Sequence, residues 1–126
     1  MDKWVKEISN EAVIFNKGRV KINVHILIEK DIDFYNAHCL EFDITADGNS
    51  IDDALNNVVD CIKSHVQFCI EMGIFDKIYD PAPQEYWNKL MCATPLKKFS
   101  FPKEKFRSDI SYPIDEVETY EAKCRA

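Results

Sequence analysis

Several groups of side chains in this 126-residue sequence are of types that could do chemistry. His38 and Cys39 are adjacent, the types of an imidazole base and a thiol nucleophile. Neighbours on an extended strand point to opposite faces, so these two do not meet, and Cys39 is expected in a core. Cys61 and His65 stand four residues apart, one face of a helix, where they could supply half of a metal site. Two ligands do not make a site, so His65 is expected at an interface instead. Asp31, Asp33, Glu41, Asp43, Asp52 and Asp53 have the types for a metal or acid–base cluster. Their spacing follows no calcium loop, which leaves a solvated or partner-binding face. Lys97, Lys98, Lys103, Lys105 and Arg107 interleave with Phe99, Phe101 and Phe106, a pattern in which cations meet phosphates and rings stack on bases. The plainer expectation there is a solvated loop with buried phenylalanines. With only three glycines, a glycine-rich phosphate loop has no place. No catalytic residue, metal or cofactor is expected.

The elements that position these groups follow from periodicity. Val20, Ile22, Val24, Ile26 and Ile28 alternate along a strand with one buried face, and His25 falls on the opposite side. Residues 29–33 are polar and turn-prone. They should lead into a second strand over residues 34–41 and a third over 42–46, ending at Asp47-Gly48-Asn49. Ser50 then caps a helix whose first turn carries Asp52 and Asp53, complementing the positive end of the dipole. The helix should cover residues 51–72 and stop at Gly73, with Leu55, Val58, Val59, Ile62, Val66, Cys69 and Ile70 against the sheet. A second group, Cys61, His65, Phe68 and Met72, lies on the flank of that stripe. Three strands cannot cover both, so the later segment or another subunit must cover the flank.

Beyond Gly73 the pattern weakens. Residues 74–83 contain a plausible short strand with Phe75, Ile78 and Tyr79, and Asp80-Pro81 suggests entry into a short helix over residues 84–92. Residues 96–101 alternate weakly. In the first eighteen residues, Ala12, Val13, Ile14 and Phe15 could pair with the first strand, while Trp4, Val5 and Ile8 fit a short helix equally well.

Length allows one domain with a real core, and a hydrophobic fraction of 46% argues against wholesale disorder. Residues 20–73 carry three basic and ten acidic residues, whereas residues 76–126 carry nine of each. The acidic half should repel a phosphate backbone and suit a basic protein. Five cysteines without C-x-x-C pairing fit free thiols in a reducing compartment. No apolar run approaches the roughly 20 residues of a membrane helix, and Met1-Asp2-Lys3-Trp4 lacks a signal peptide's order, so the expected location is the cytoplasm.

Tyr35-Asn36-Ala37-His38-Cys39-Leu40-Glu41-Phe42-Asp43, followed by Gly48-Asn49-Ser50-Ile51-Asp52-Asp53-Ala54-Leu55-Asn56-Asn57, resembles the HicB-type antitoxins and their HicB-like relatives. The shared pattern is an alternating strand, an acidic turn, an aromatic-x-Ala-x-Cys strand, a Gly-x-Ser helix entry, then an acidic pair and Ala. Leu40-Glu41-Phe42-Asp43 stands where many members carry Pro-Asp-Leu-Pro-Gly, like the branch with Leu-Glu-Leu-Asp. The likeness covers residues 20–73.

The resemblance implies an α+β fold, a three-stranded antiparallel sheet packed on one long helix (β-β-β-α), usually dimeric or larger. To this core, residues 1–19 add an N-terminal extension and residues 74–126 a short strand/helix C-terminal extension. In the family such a domain masks a small basic toxin that cleaves messenger RNA, and it is not an enzyme. Asp31, Asp33, Glu41 and Asp43 are then the candidate partner-binding residues, and Cys61, His65, Phe68 and Met72 a candidate oligomer interface. Residues 74–126 resemble neither DNA-binding module that members add, which leaves repression of its own operon without a sequence basis. Two alternatives are an orphan homo-oligomer without a toxin, and nucleic-acid binding through residues 97–107.

Overall fold

The computed structural model describes residues 22–102, 105–107, 110–111 and 113–123. The N-terminal extension over residues 1–19, with its two alternative readings, lies outside the described residues, as do Lys103 and Cys124.

The first three strands are β1 (Ile22–Lys30), β2 (Tyr35–Cys39) and β3 (Ile44–Gly48), each antiparallel to the next. The β1–β2 turn closes where the Asp31 amide donates to the Phe34 carbonyl at 2.8 Å. β2 stops at Cys39 because the chain turns tightly through Leu40–Asp43, where Asp43 takes φ of 53°, a left-handed geometry that Asp tolerates better than most residues. Helix α1 (Ile51–Glu71) follows at once. The Ser50 hydroxyl accepts from the Asp53 amide at 3.0 Å, and the Asp53 carboxylate reaches back to the Asn49 amide at 2.9 Å, so each side chain satisfies an otherwise unpaired donor. The helix buries Ala54, Leu55, Val58, Val59, Ile62, Val66 and Cys69, the expected stripe with Ala54 added and Ile70 half-buried. Gly73, at φ of 69°, ends the helical stretch.

The expected three-stranded antiparallel sheet is part of a larger one. A 3-10 turn (Phe75–Lys77) occupies the place of the anticipated short strand, and helix α2 (Gln84–Met91) follows it. The chain then forms β4 (Thr94–Ser100), a small β5 (Lys105–Arg107) and β6 (Ile110–Ser111) pair, and β7 (Ile114–Glu121). β7 lies parallel to β1, and β4 adds antiparallel to β7, giving a mixed five-stranded sheet in the order β3-β2-β1-β7-β4. Three antiparallel strands would leave one edge of β1 unpaired, and β7 satisfies those backbone groups.

Both faces of the sheet are covered. Val24, Ile26 and Ile28 of β1 point to the α1 side, where Ala37, Cys39, Phe42, Ile78, Phe101, Ile114 and Val117 complete the main core. Leu27 points the other way and packs with Leu40 and Ala82 beneath Tyr86, Trp87 and Leu90 of α2. The chain is strapped onto this second face by its backbone: the Asp80 amide donates to the Glu41 carbonyl at 3.1 Å and the Ala82 amide to the Leu40 carbonyl at 2.8 Å.

Candidate functional site

His25 sits out of phase with the apolar residues of β1, so its ring lies on the second face of the sheet rather than in the main core. There it meets Glu41 from the β2–β3 turn. The His25 amide donates to Glu41 Oε1 at 2.7 Å, and His25 Nδ1 lies 2.6 Å from Oε2. Tyr120 of β7 stacks on the imidazole and Trp87 of α2 approaches it edge-on, at 6.2 and 6.4 Å between centroids. Glu118 lies 3.8 Å from Nε2 and accepts from the Tyr120 hydroxyl at 2.8 Å.

The electrostatics follow from that geometry. The hydrogen bond to the Glu41 carboxylate holds the His25 pKa above its ordinary value, and the charges of Glu41 and Glu118 add to the effect against the opposing cost of burial. Tyr120 is raised by its hydrogen bond to Glu118, and Tyr79 chiefly by burial, with Glu41 contributing. A second pair sits beside the first: His38 Nε2 is 2.6 Å from Asp43 Oδ1, and its ring meets Tyr86 of α2 edge-on at 4.7 Å. The described partners of both imidazoles are carboxylates and aromatic rings. The two pairs tie the β2–β3 turn, β7 and α2 together.

Of the four anticipated partner-binding carboxylates, only Glu41 is buried, while Asp31, Asp33 and Asp43 are exposed. Asp31 and Asp33 are exposed in the β1–β2 turn. Glu41 is 5% exposed and enclosed with His25, and Asp43 is engaged by His38. Between Asp31 and Asp33 stands Ile32, 90% exposed, which sequence reasoning passed over because one isoleucine in a polar turn carries no periodic signal. Asp31 fixes the turn further by accepting the Ile32 amide at 2.7 Å. Beside the turn runs a groove of about 770 Å³ between β1, α2 and the end of β7.

The flank of α1 divides. His65 is taken up by the later segment: Nε2 lies 3.0 Å from the Ile78 carbonyl and the ring packs on Phe42. Cys61, Phe68 and Met72 remain exposed. Cys39 is wholly buried, and burial pushes its thiol pKa up. Its neighbour His38 is 4% exposed on the opposite face, so the two side chains diverge as strand geometry dictates.

The basic residues of β4 are exposed but paired. Lys97 reaches Asp52 and Lys98 reaches Glu116, each at 3.2 Å. Lys105 and Arg107 belong to β5. Phe101 is buried and Phe99 half-buried on the main core. Among the described residues no group of three or more His, Cys, Asp or Glu side chains could hold a metal ion, and no helix is long and apolar enough to cross a membrane. No family model matches the chain, and no curated protein or solved structure does either.

Proposed function

We propose that this protein is a non-catalytic binding module of HicB-like type that sequesters a small basic protein of the toxin class. The observation carrying this reading is that several residues of the motif serve one β-β-β-α unit. Ala37 and Cys39 fill the core from β2, Ser50 caps α1, and Ala54 is buried where the helix meets the sheet. Gly48 has a role of the same kind: a Cβ there would lie 2.2 Å from the Ala54 amide nitrogen, so only glycine lets α1 start this close to β3. The motif thus encodes a scaffold, and the acidic turn it displays suits a basic partner.

The test is to purify the full chain from its native host and ask whether a small basic protein, encoded beside it, comes with it in stoichiometric amount. Co-purification is the expected result, and the lack of any such neighbouring product would overturn antitoxin action. A second reading, an orphan homo-oligomer, is favoured by exposed Phe68 and Met72 on α1. It predicts a dimer or larger species by light scattering that Phe68→Glu dissociates, and a monomer at all concentrations would contradict it.

A further inference from the structure

We propose that the groove between the β1–β2 turn and α2 docks a basic, amphipathic segment of a protein partner, with Ile32 as the apolar anchor. This inference rests on the partner-binding reading and specifies where the partner sits.

The turn is built rather than loose. Asp31 closes it twice, through its amide to Phe34 and through its carboxylate to the Ile32 amide, so Ile32 is held outward at 90% exposure. A lone exposed isoleucine is ordinary on a protein surface; what fits Ile32 to anchor a partner is that the hydrogen-bonded turn fixes it at the wall of the groove. Behind Ile32 the groove is floored by Ala122 and Cys92 and edged by α2. An apolar centre with a polar rim is the usual anatomy of a protein interface.

Charge selects the occupant. Asp31 and Asp33 flank the anchor, and Glu85 and Glu121 stand across the groove with no ion pair among the described residues. Two of the three lysines nearby are engaged: Lys89 pairs with Glu29 at 3.1 Å, and Lys30 lies over the Tyr35 ring at 5.9 Å. With Lys89 and Glu29 paired, Asp31, Asp33, Glu85 and Glu121 stand against Lys30 and Lys123, so the surface left to a newcomer is negative on balance. It repels a nucleic acid, and a second copy of a chain with net charge −6 is likewise disfavoured, whereas lysines or arginines around an apolar side chain complement it.

The experiment titrates the isotopically labelled full chain with a short synthetic peptide of leucine and lysine in helical spacing, and separately with its glutamate counterpart, in about 50 mM salt. The lysine peptide should move the amide signals of residues 29–34, 84–92 and 121–123, and the glutamate peptide should move none. Ile32→Ser, fully surface-borne, should raise Kd about tenfold, roughly 1.4 kcal/mol, without altering the circular dichroism spectrum. Failure of the lysine peptide to bind, equal shifts around Asp52, Asp53 and Asp60 on α1, or a Kd indifferent to Ile32→Ser would each overturn the proposal. A native basic partner whose affinity ignores Ile32→Ser would refute the groove and leave the partner-binding reading standing. Peptide docking here without any native partner would do the reverse.

Discussion

His25 and Glu41 form a contact in which a titrating group with a raised pKa is built into the packing of the second sheet face. The folded state holds the imidazolium more tightly than the unfolded chain does. The pair's contribution is therefore fully present below about pH 6.5, the unfolded value, and is lost as pH rises through the higher folded value. Chemical denaturation from pH 6 to pH 9 should show stability falling across that window, and Glu41→Gln should flatten the fall. A stability rising with pH there, with the His25 ring titrating at its ordinary value by NMR, would mean that the hydrogen bond does not act on the proton as argued. The sequence marked His25 as out of phase with its strand. Its partner stayed hidden because Glu41 comes 16 positions later, in a turn whose position depends on where β2 ends.

At the level of elements, local signals read well where one face is buried and a cap is explicit. Helix α1 was legible in its start at Ser50, its stripe and its stop before Gly73, since all three are local chemistry. β7 was not legible, for a physical reason. The register with β1 shifts between Ile22 and Val24, so the buried residues Ile114, Val117 and Thr119 no longer keep a strict period of two, and half-buried acids fill the gaps. β4 is an edge strand with one half-buried residue, Phe99, so it shows little alternation; Pro95 and two lysines suit an edge that resists further pairing. The parallel pairing of β1 with β7 joins segments some 90 residues apart, and no window along the chain contains it. The β3–α1 junction yields a sharp prediction. Gly48→Ala drives a methyl into the backbone of Asp53 and Ala54 and should cost about 1–3 kcal/mol, against about 1 kcal/mol for Ser50→Ala, which removes one capping bond. Urea unfolding of the two variants measures both, and a Gly48→Ala protein as stable as the parent would show that α1 can begin farther from the sheet.

For the whole molecule, α1 and the main core close one face of the sheet while the shorter α2 closes the other, and exposed apolar side chains remain at the β1–β2 turn, on the α1 flank, and at Met91 of α2 and Leu96 of β4. The turn is acidic and hydrogen-bonded, and it presents an isoleucine; the flank is apolar and presents Phe68 and Met72. These two surfaces are what the proposed binding role would use. The most direct measurement of the proposed role is calorimetric titration of the purified full chain with any small basic protein encoded beside it, at about 50 and about 200 mM salt. Binding should be tight at the lower salt and weaken at the higher, as attraction between the acidic turn and the partner's cations is screened. No binding at the lower salt, or an affinity that salt leaves unchanged, would contradict it.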